Sequence, residues 1–277
     1  MRRAASGLAA LVALWIATAC LDITSNVPQI GSITPVILPW PSVVTGESLF
    51  DTLGNVAPLQ IKATGTNGKP IPMEDLIVRF YAVDSTGNLK VDSLTGKAFG
   101  KALSPTAAVV ASVRQANGVG GFIQTPTMAL PVVPVPTSAT RSPDTSFNYN
   151  VLATDTLSPQ LLSPPLTVTV LAKDTVVQKY LVMYEIVSRP PSTDSAAGPT
   201  LVLRGNGADS TVAVTNAAGQ ASLQLQVRPS VLSEALHAPG ATFTAVVVAR
   251  VIFKHDTLKM TPNDSFVVVF KSVPVIP

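Results

Sequence analysis

Beyond about residue 57, hydrophobic and polar positions alternate with a period of two. Leu59, Ile61 and Ala63 are interleaved with Gln60, Lys62 and Thr64. Leu166, Val168 and Val170 are interleaved with Thr167 and Thr169, and Leu223, Leu225 and Val227 with Ser222, Gln224 and Gln226. Successive side chains of a strand point to opposite faces, so this pattern predicts strands with one face buried and one wet. Four runs richer in β-branched and aromatic residues are predicted as central strands: Leu76–Val83, Tyr180–Val187, Ala241–Phe253 and Ser265–Phe270. Between the strands lie turn signals at Asn67-Gly68, Thr86-Gly87-Asn88, Asn117-Gly118, Asn206-Gly207 and Gly219, as short antiparallel connections require.

Helix is nearly absent from the pattern. The best candidate is Pro229–Gly240, with Ser230 as cap, Glu234 in the first turn and Pro239-Gly240 as the stop. The stretch Pro105–Gln115 fits helix or strand and is read as strand. Residues 21–57 contain Pro28, Pro35, Pro39 and Pro41, which favour extended conformations, and are read as a tether that becomes a first edge strand.

A weak repeat organises the strands. Pro58–Ala63 corresponds to Pro165–Val170, Ile77–Val83 to Leu181–Val187, and Ala116–Gly120 to Ala217–Ala221, in the same order and at offsets near 100 residues. A unit of that size built from about seven short alternating strands matches an immunoglobulin-like sandwich. The expected fold is therefore all-β: two tandem immunoglobulin-like antiparallel β-sandwiches, spanning 58–160 and 161–277, with a Pro-rich boundary near Ser158–Pro165. The quoted strands and the turn Thr215-Asn216-Ala217-Ala218-Gly219-Gln220-Ala221 resemble the bacterial immunoglobulin-like domains of the invasin and intimin group. That resemblance covers most of the second unit and patches of the first; Val132–Pro143 has no counterpart. Neither unit carries the Cys pair or the strand Trp of antibody domains, since Trp15 and Trp40 fall outside the predicted strands.

The 277 residues are 47% hydrophobic and 13% charged, which excludes a charged disordered tail and a coiled coil. Residues 1–19 are laid out as an export signal: Arg2 and Arg3, then the uncharged run Gly7–Ile16, then Ala17-Thr18-Ala19. The apolar run is too short to span a bilayer, which takes about 20 residues. Two of the three net positive charges leave with this leader, so the balance gives no reason to expect nucleic acid as a partner.

The single cysteine of the chain, Cys20, follows directly. Ala17-Thr18-Ala19-Cys20 resembles the lipobox of bacterial lipoproteins, with Ala17 where Leu is usual. The resemblance implies lipidation of Cys20 and cleavage before it. Leu21, in place of a retention Asp, implies the outer membrane as destination where the organism has one. Residues 20–57 would then run from the lipidated Cys through the Pro-rich tether to the first edge strand. The expected partners are the membrane, through this lipid anchor, and an envelope or extracellular protein or glycan.

No catalytic constellation stands out. His237 and His255 are the only histidines, and the sixteen acids include one adjacent pair, Glu74-Asp75, with no spacing suited to zinc or calcium. His255-Asp256 are strand neighbours that point to opposite faces, so they read as a polar hairpin tip. Gly205-Asn206-Gly207 lacks the lysine and following helix of a phosphate loop and reads as a turn. No G-x-S-x-G or H-E-x-x-H occurs. Tyr81 and Tyr184 occupy matching strands and read as sheet packing rather than a glycan-stacking platform. The expectation is a non-enzyme without catalytic, metal or cofactor residues, acting as a spacer, scaffold or adhesive module at the cell envelope. The alternative is a carbohydrate- or polymer-binding accessory module working with an envelope enzyme, which requires coplanar exposed aromatics on one sheet face.

Overall fold

The computed structural model describes residues 29–118, 120–150, 161–192 and 198–273. The export signal, Cys20 and part of the expected Ser158–Pro165 boundary lie outside them. The described chain is all-β, with only short 3-10 turns besides strands, as the alternation requires. Contacts divide it into two compact units: 29–34, 62–77, 113–118 and 120–123 in one, and 35–61, 78–112 and the described residues from 124 onward in the other.

The smaller unit holds a three-stranded sheet of β1 (Ile30–Ile33), β3 (Ala63–Gly65) and β4 (Pro70–Ile71), with β3 in the middle. Asn67-Gly68 turns β3 back onto β4, and Gly68 has a φ of 75°, in the left-handed region that glycine enters without a Cβ penalty. Gly31 packs against the Gly65 backbone so closely that a Cβ would lie 3.0 Å from it.

In the larger unit, the region before residue 137 is built from short strands. These are β2 (Val43–Val44) paired in parallel with β11 (Val132–Val133), and β6 (Leu89–Val91) with β7 (Ala98–Gly100). A further sheet runs β10 (Met128–Ala129), β8 (Ala108–Gln115), β5 (Leu76–Val83), with β9 (Ile123–Gln124) beside β8; its two long strands pass from one unit to the other. Both β5 and β8 form as strands where sequence pattern placed them. The Pro-rich stretch from Pro35 contributes Val36, Trp40, Val43, Val44 and Leu49 to the buried core, and Trp40 is only 6% exposed. Its ring packs edge-on against Tyr180, with centroids 5.5 Å apart.

From Ser138 onward two sheets face each other. One runs β18 (Ala208–Asp209), β17 (Leu201–Gly205), β20 (Gln220–Val227), β14 (Leu166–Ala172), β12 (Ser138–Arg141), β24 (Met260–Thr261), with β15 (Thr175–Val176) beside β14. The other runs β13 (Thr145–Asn150), β25 (Ser265–Val273), β21 (Thr242–Arg250), β16 (Leu181–Ser188), β19 (Val212–Val214). A small hairpin, β22 (Ile252–Phe253) and β23 (Asp256–Thr257), completes the set. The chain enters along one sheet as β12, crosses, and runs parallel to the last strand in the other sheet as β13. That division of strands is the immunoglobulin arrangement, with two sheets over one apolar core.

The crossing is held by Arg141. Its guanidinium pairs with Asp144 at 2.9 Å, bonds Asn263 Oδ1 at 3.0 Å, and lies 5.2 Å over the Phe266 ring. Asp144 in turn accepts from the Val267 amide. The core between the sheets receives Leu166, Val168, Val170, Leu223 and Leu225 from one side and Val182, Tyr184, Val247, Phe266, Val268 and Phe270 from the other, all buried. Phe270 stacks on Phe243 at 4.6 Å and meets Phe147 edge-on at 5.8 Å.

Two local expectations are corrected. Pro229–Gly240 forms two 3-10 turns, Pro229–Val231 and Glu234–His237, instead of a helix, and no side chain caps either one. Ser230 lies inside the first turn. The segment is too short and too proline-bounded to recover the nucleation cost of an α-helix. Gln226, expected on the wet face of its strand, is 1% exposed and accepts from Arg204 Nε at 2.6 Å. The stretch before β14 covers it: Leu162 bridges to Gln226, and the Ser163 amide bonds the Leu225 carbonyl.

Candidate functional surfaces

The two histidines each face a backbone carbonyl. His237, at the end of its 3-10 turn, has Nε2 2.9 Å from the Pro229 carbonyl. His255 sits in the two-residue turn between β22 and β23, and its Nδ1 is 3.2 Å from the Leu53 carbonyl. Each ring nitrogen in these contacts serves structure. Among the described residues no three His, Cys, Asp or Glu side chains gather as a metal site would need. Gly205-Asn206-Gly207 is a turn: Asn206 and Gly207 have φ of 50° and 81°, both positive, as a type I′ hairpin demands.

The matched tyrosines part company. Tyr184 is 2% exposed inside the sandwich; its hydroxyl reaches the Ala221 carbonyl at 2.8 Å, with the Leu166 carbonyl at 3.2 Å. Burial pushes its pKa well above the usual phenol value. Tyr81 is 46% exposed. The two rings therefore do not form one stacking surface. Pattern reasoning missed Tyr149 and Tyr180, which are buried with hydroxyls donating to the Leu236 and Ile252 carbonyls. Each follows a polar residue, and alternation within the flanking strands was the available signal.

Carboxylates organise loops. Asp84 accepts from the Thr86 amide and hydroxyl, the Asn88 and Leu89 amides at 2.7 Å each, and the Ser104 hydroxyl at 2.9 Å. These donors, the Thr86 side chain foremost, hold its pKa far below the ordinary 3.8. Asp51 and Asp92 are lowered in the same way by loop amides, those of Asn55 and Thr95 foremost. A depressed folded pKa gives stabilisation that is complete above 3.8 and declines as pH falls from there through the folded value. Urea midpoints measured from pH 5 to pH 2 are expected to fall, and Asp84→Asn is expected to remove part of that slope while lowering the midpoint at pH 5.

The clefts of the larger unit are open and mainly apolar. One, of about 270 Å³, is walled by Pro105, Pro131, Pro134, Val133 and Val176 with Lys179 at its edge. Another, of about 630 Å³, lies between the Glu185–Ile186 segment of β16 and Leu201–Leu203 of β17. The larger one includes Glu185, Asp209 and Ser210 in its lining, where Glu185 pairs with Arg250, Asp209 with Arg204 and Arg228, and the Ser210 hydroxyl donates to the Val212 carbonyl.

The outer face of the β13-β25-β21-β16-β19 sheet differs from the Thr/Ser/Gln surface that the alternation of β14 suggests. Val246, Val248, Val267 and Met183 are half-buried there, and Val269 and Val212 are 38% exposed. The ion pair of Arg250 Nη1 with Glu185 Oε2 at 3.1 Å sits among them, and toward β13 the face turns polar, with Thr242, Thr244, Lys271, Ser146 and Asn148 exposed.

No protein-family model matches the sequence, and no curated protein sequence does. Among solved structures, the chain is similar to the D00-D0 domain of intimin at 14% identity and a TM-score of 0.27, over 86% of this chain and 99% of that one. It is similar to the Yersinia pseudotuberculosis adhesin InvE at 13% identity and a TM-score of 0.31, over 91% of this chain and 62% of that one. It is also similar to the fibronectin(III)-like modules of Clostridium thermocellum CbhA at 12% identity and a TM-score of 0.27, over 87% of this chain and 94% of that one.

Proposed function

We propose that the chain is an exported lipoprotein, anchored through Cys20, whose immunoglobulin-like sandwiches serve as a non-catalytic spacer or adhesive module at the cell envelope. The observation that carries this reading is the place of the only cysteine, directly after Ala17-Thr18-Ala19 and the apolar leader. Two or three acyl chains at roughly 0.8 kcal/mol per buried methylene anchor a protein firmly. One ring nitrogen of each histidine faces a backbone carbonyl, Asp84 is taken up by loop amides, and the sandwich interior is apolar, which supports a non-catalytic role. In this reading work is done at exposed sheet faces, edges and loops.

Mass spectrometry of the membrane fraction tests the anchor. The native protein is expected to yield an N-terminal peptide that begins at Cys20 and carries acyl mass, and Cys20→Ser is expected to abolish that peptide. An unmodified Cys20 thiol, or a mature N-terminus elsewhere, would refute lipidation.

A further inference from the structure

We infer that the outer face of the β13-β25-β21-β16-β19 sheet binds the same face of a second copy of this chain. The cross-strand register places Val246 opposite Val267, Val248 beside Glu185, and Met183 between Arg250 and Val212. Period two sends these side chains away from the core, since their neighbours Val247, Ala249, Phe266, Val268 and Tyr184 are buried. The result is a patch of valines and one methionine on a flat sheet, where a solvated outer face ordinarily carries polar residues.

Charge and area select the occupant. Glu185 and Arg250 lie diagonally across β16 and β21, within the apolar patch, and both remain about half exposed, at 58% and 49%. At the β16–β21 centre of the face one acid and one base lie side by side, with Lys271 of β25 a second base toward the β13 edge. Such a central pair is complementary to itself, because a two-fold axis lying between two such faces, midway along the pair, sets Glu185 of each copy against Arg250 of the other. The central pairs then bring no net charge into the contact, and the apolar patches around them coincide. A glycan would call for exposed aromatic rings, and the outward positions of this face carry none. Five strands at about 4.8 Å spacing and up to nine residues long give a face on the order of 600 Å² per copy, which reaches the lower end of specific protein interfaces and fits a weak, reversible dimer. This inference does not rest on the anchoring or adhesive reading.

Sedimentation velocity of the full chain in mild detergent, from about 1 to 100 μM, tests it. Any anchor is shared by every sample and cancels in the comparison. The wild-type chain is expected to shift from monomer to dimer with concentration. Glu185→Arg, which makes both members of the central pair positive, and Arg250→Glu, which makes both negative, are each expected to weaken self-association at least tenfold by like-charge opposition. An equimolar mixture of the two variants is expected to restore the dimer, because each face then meets its opposite. Circular dichroism of each variant confirms that these exposed changes leave the fold intact. A wild-type monomer at every concentration, variants that still self-associate, or a mixture that stays monomeric would each overturn the inference.

Discussion

Phe270→Ala is expected to destabilise the sandwich by about 3–5 kcal/mol, the usual cost of removing a fully buried phenyl ring. Phe270 has no exposed surface, and its ring joins three others: Phe243 stacked at 4.6 Å, Phe147 edge-on at 5.8 Å, and Tyr149 at 6.5 Å. Those rings come from β13, β21 and β25, so their cluster ties the parallel entry strand to the hairpin that ends the fold. A domain with total stability of about 5–15 kcal/mol loses about a fifth or more of it. Val269→Ala, one residue along the same strand but 38% exposed, is the control and is expected to change stability by well under 1 kcal/mol. Urea unfolding followed by circular dichroism compares the two. Equal midpoint shifts would mean that β25 does not present alternate residues to the core.

The second large effect belongs to Gly54. Its φ is 86°, and a Cβ built there would stand 1.9 Å from the Lys254 carbonyl oxygen and 2.9 Å from His255 Nδ1. The loop around Gly54 docks on the β22–β23 turn through Lys254 Nζ to Glu47 at 2.8 Å and His255 to the Leu53 carbonyl. An alanine side chain meets unyielding backbone as well as an unfavourable φ, so Gly54→Ala is expected to cost about 2–4 kcal/mol and to lift the loop away. Trp40, Tyr180 and Gly54 line the same small cavity of about 10 Å³. In a chain without Trp15, Trp40 fluorescence therefore reports the change as a red shift. An unshifted spectrum and unchanged midpoint would show that the loop does not touch the turn.

Much of this architecture is legible in the sequence because strand burial leaves a direct trace. Leu76–Val83 and Ser265–Phe270 were readable from β-branched and aromatic density alone, and both form as strands. Asn206-Gly207 specifies its I′ turn because both residues tolerate a positive φ. Where pattern misled, a neighbouring segment had intervened. Leu59 and Ile61 are buried and Gln60 and Lys62 exposed, as alternation demands, yet Pro58–Lys62 makes only an isolated bridge, Ile37 to Gln60, whereas its repeat partner Pro165–Val170 leads into β14. Its pairing partners come from the Pro-rich stretch, whose prolines remove ladder donors.

Trp40 illustrates a second limit. Flanked by Pro39 and Pro41, it carries no periodicity, and its burial depends on Tyr180, far away in the chain. The β12 and β13 strands at Ser138–Asn150 were equally hard to see. They change sheets at Ser142-Pro143, so neither is long enough to show a clean pattern, and the Arg141–Asp144 bond that fixes the crossing is a spacing of three with many innocent occurrences. The candidate docking face was half visible. Alternation marks Met183, Val246, Val248, Val267 and Val269 as a set on one face, but which face meets water depends on the opposing sheet. The Glu185–Arg250 pair depends on cross-strand register, which composition does not carry.

The central structural claim is that Ser138–Arg141 opens the sandwich by pairing antiparallel with Leu166–Ala172, on the opposite side of the core from the strand that follows it. Thr140 and Thr169 are direct cross-strand partners on the outer side of that sheet. Paired residues of this kind stand about 5.5 Å apart at Cα, within reach of a disulfide. Peptide mapping of the oxidised Thr140→Cys, Thr169→Cys double variant, made in a Cys20→Ser background, is predicted to recover a single intramolecular cross-link between positions 140 and 169. Two free thiols after oxidation of a folded protein would contradict the pairing and the two-sheet core built on it.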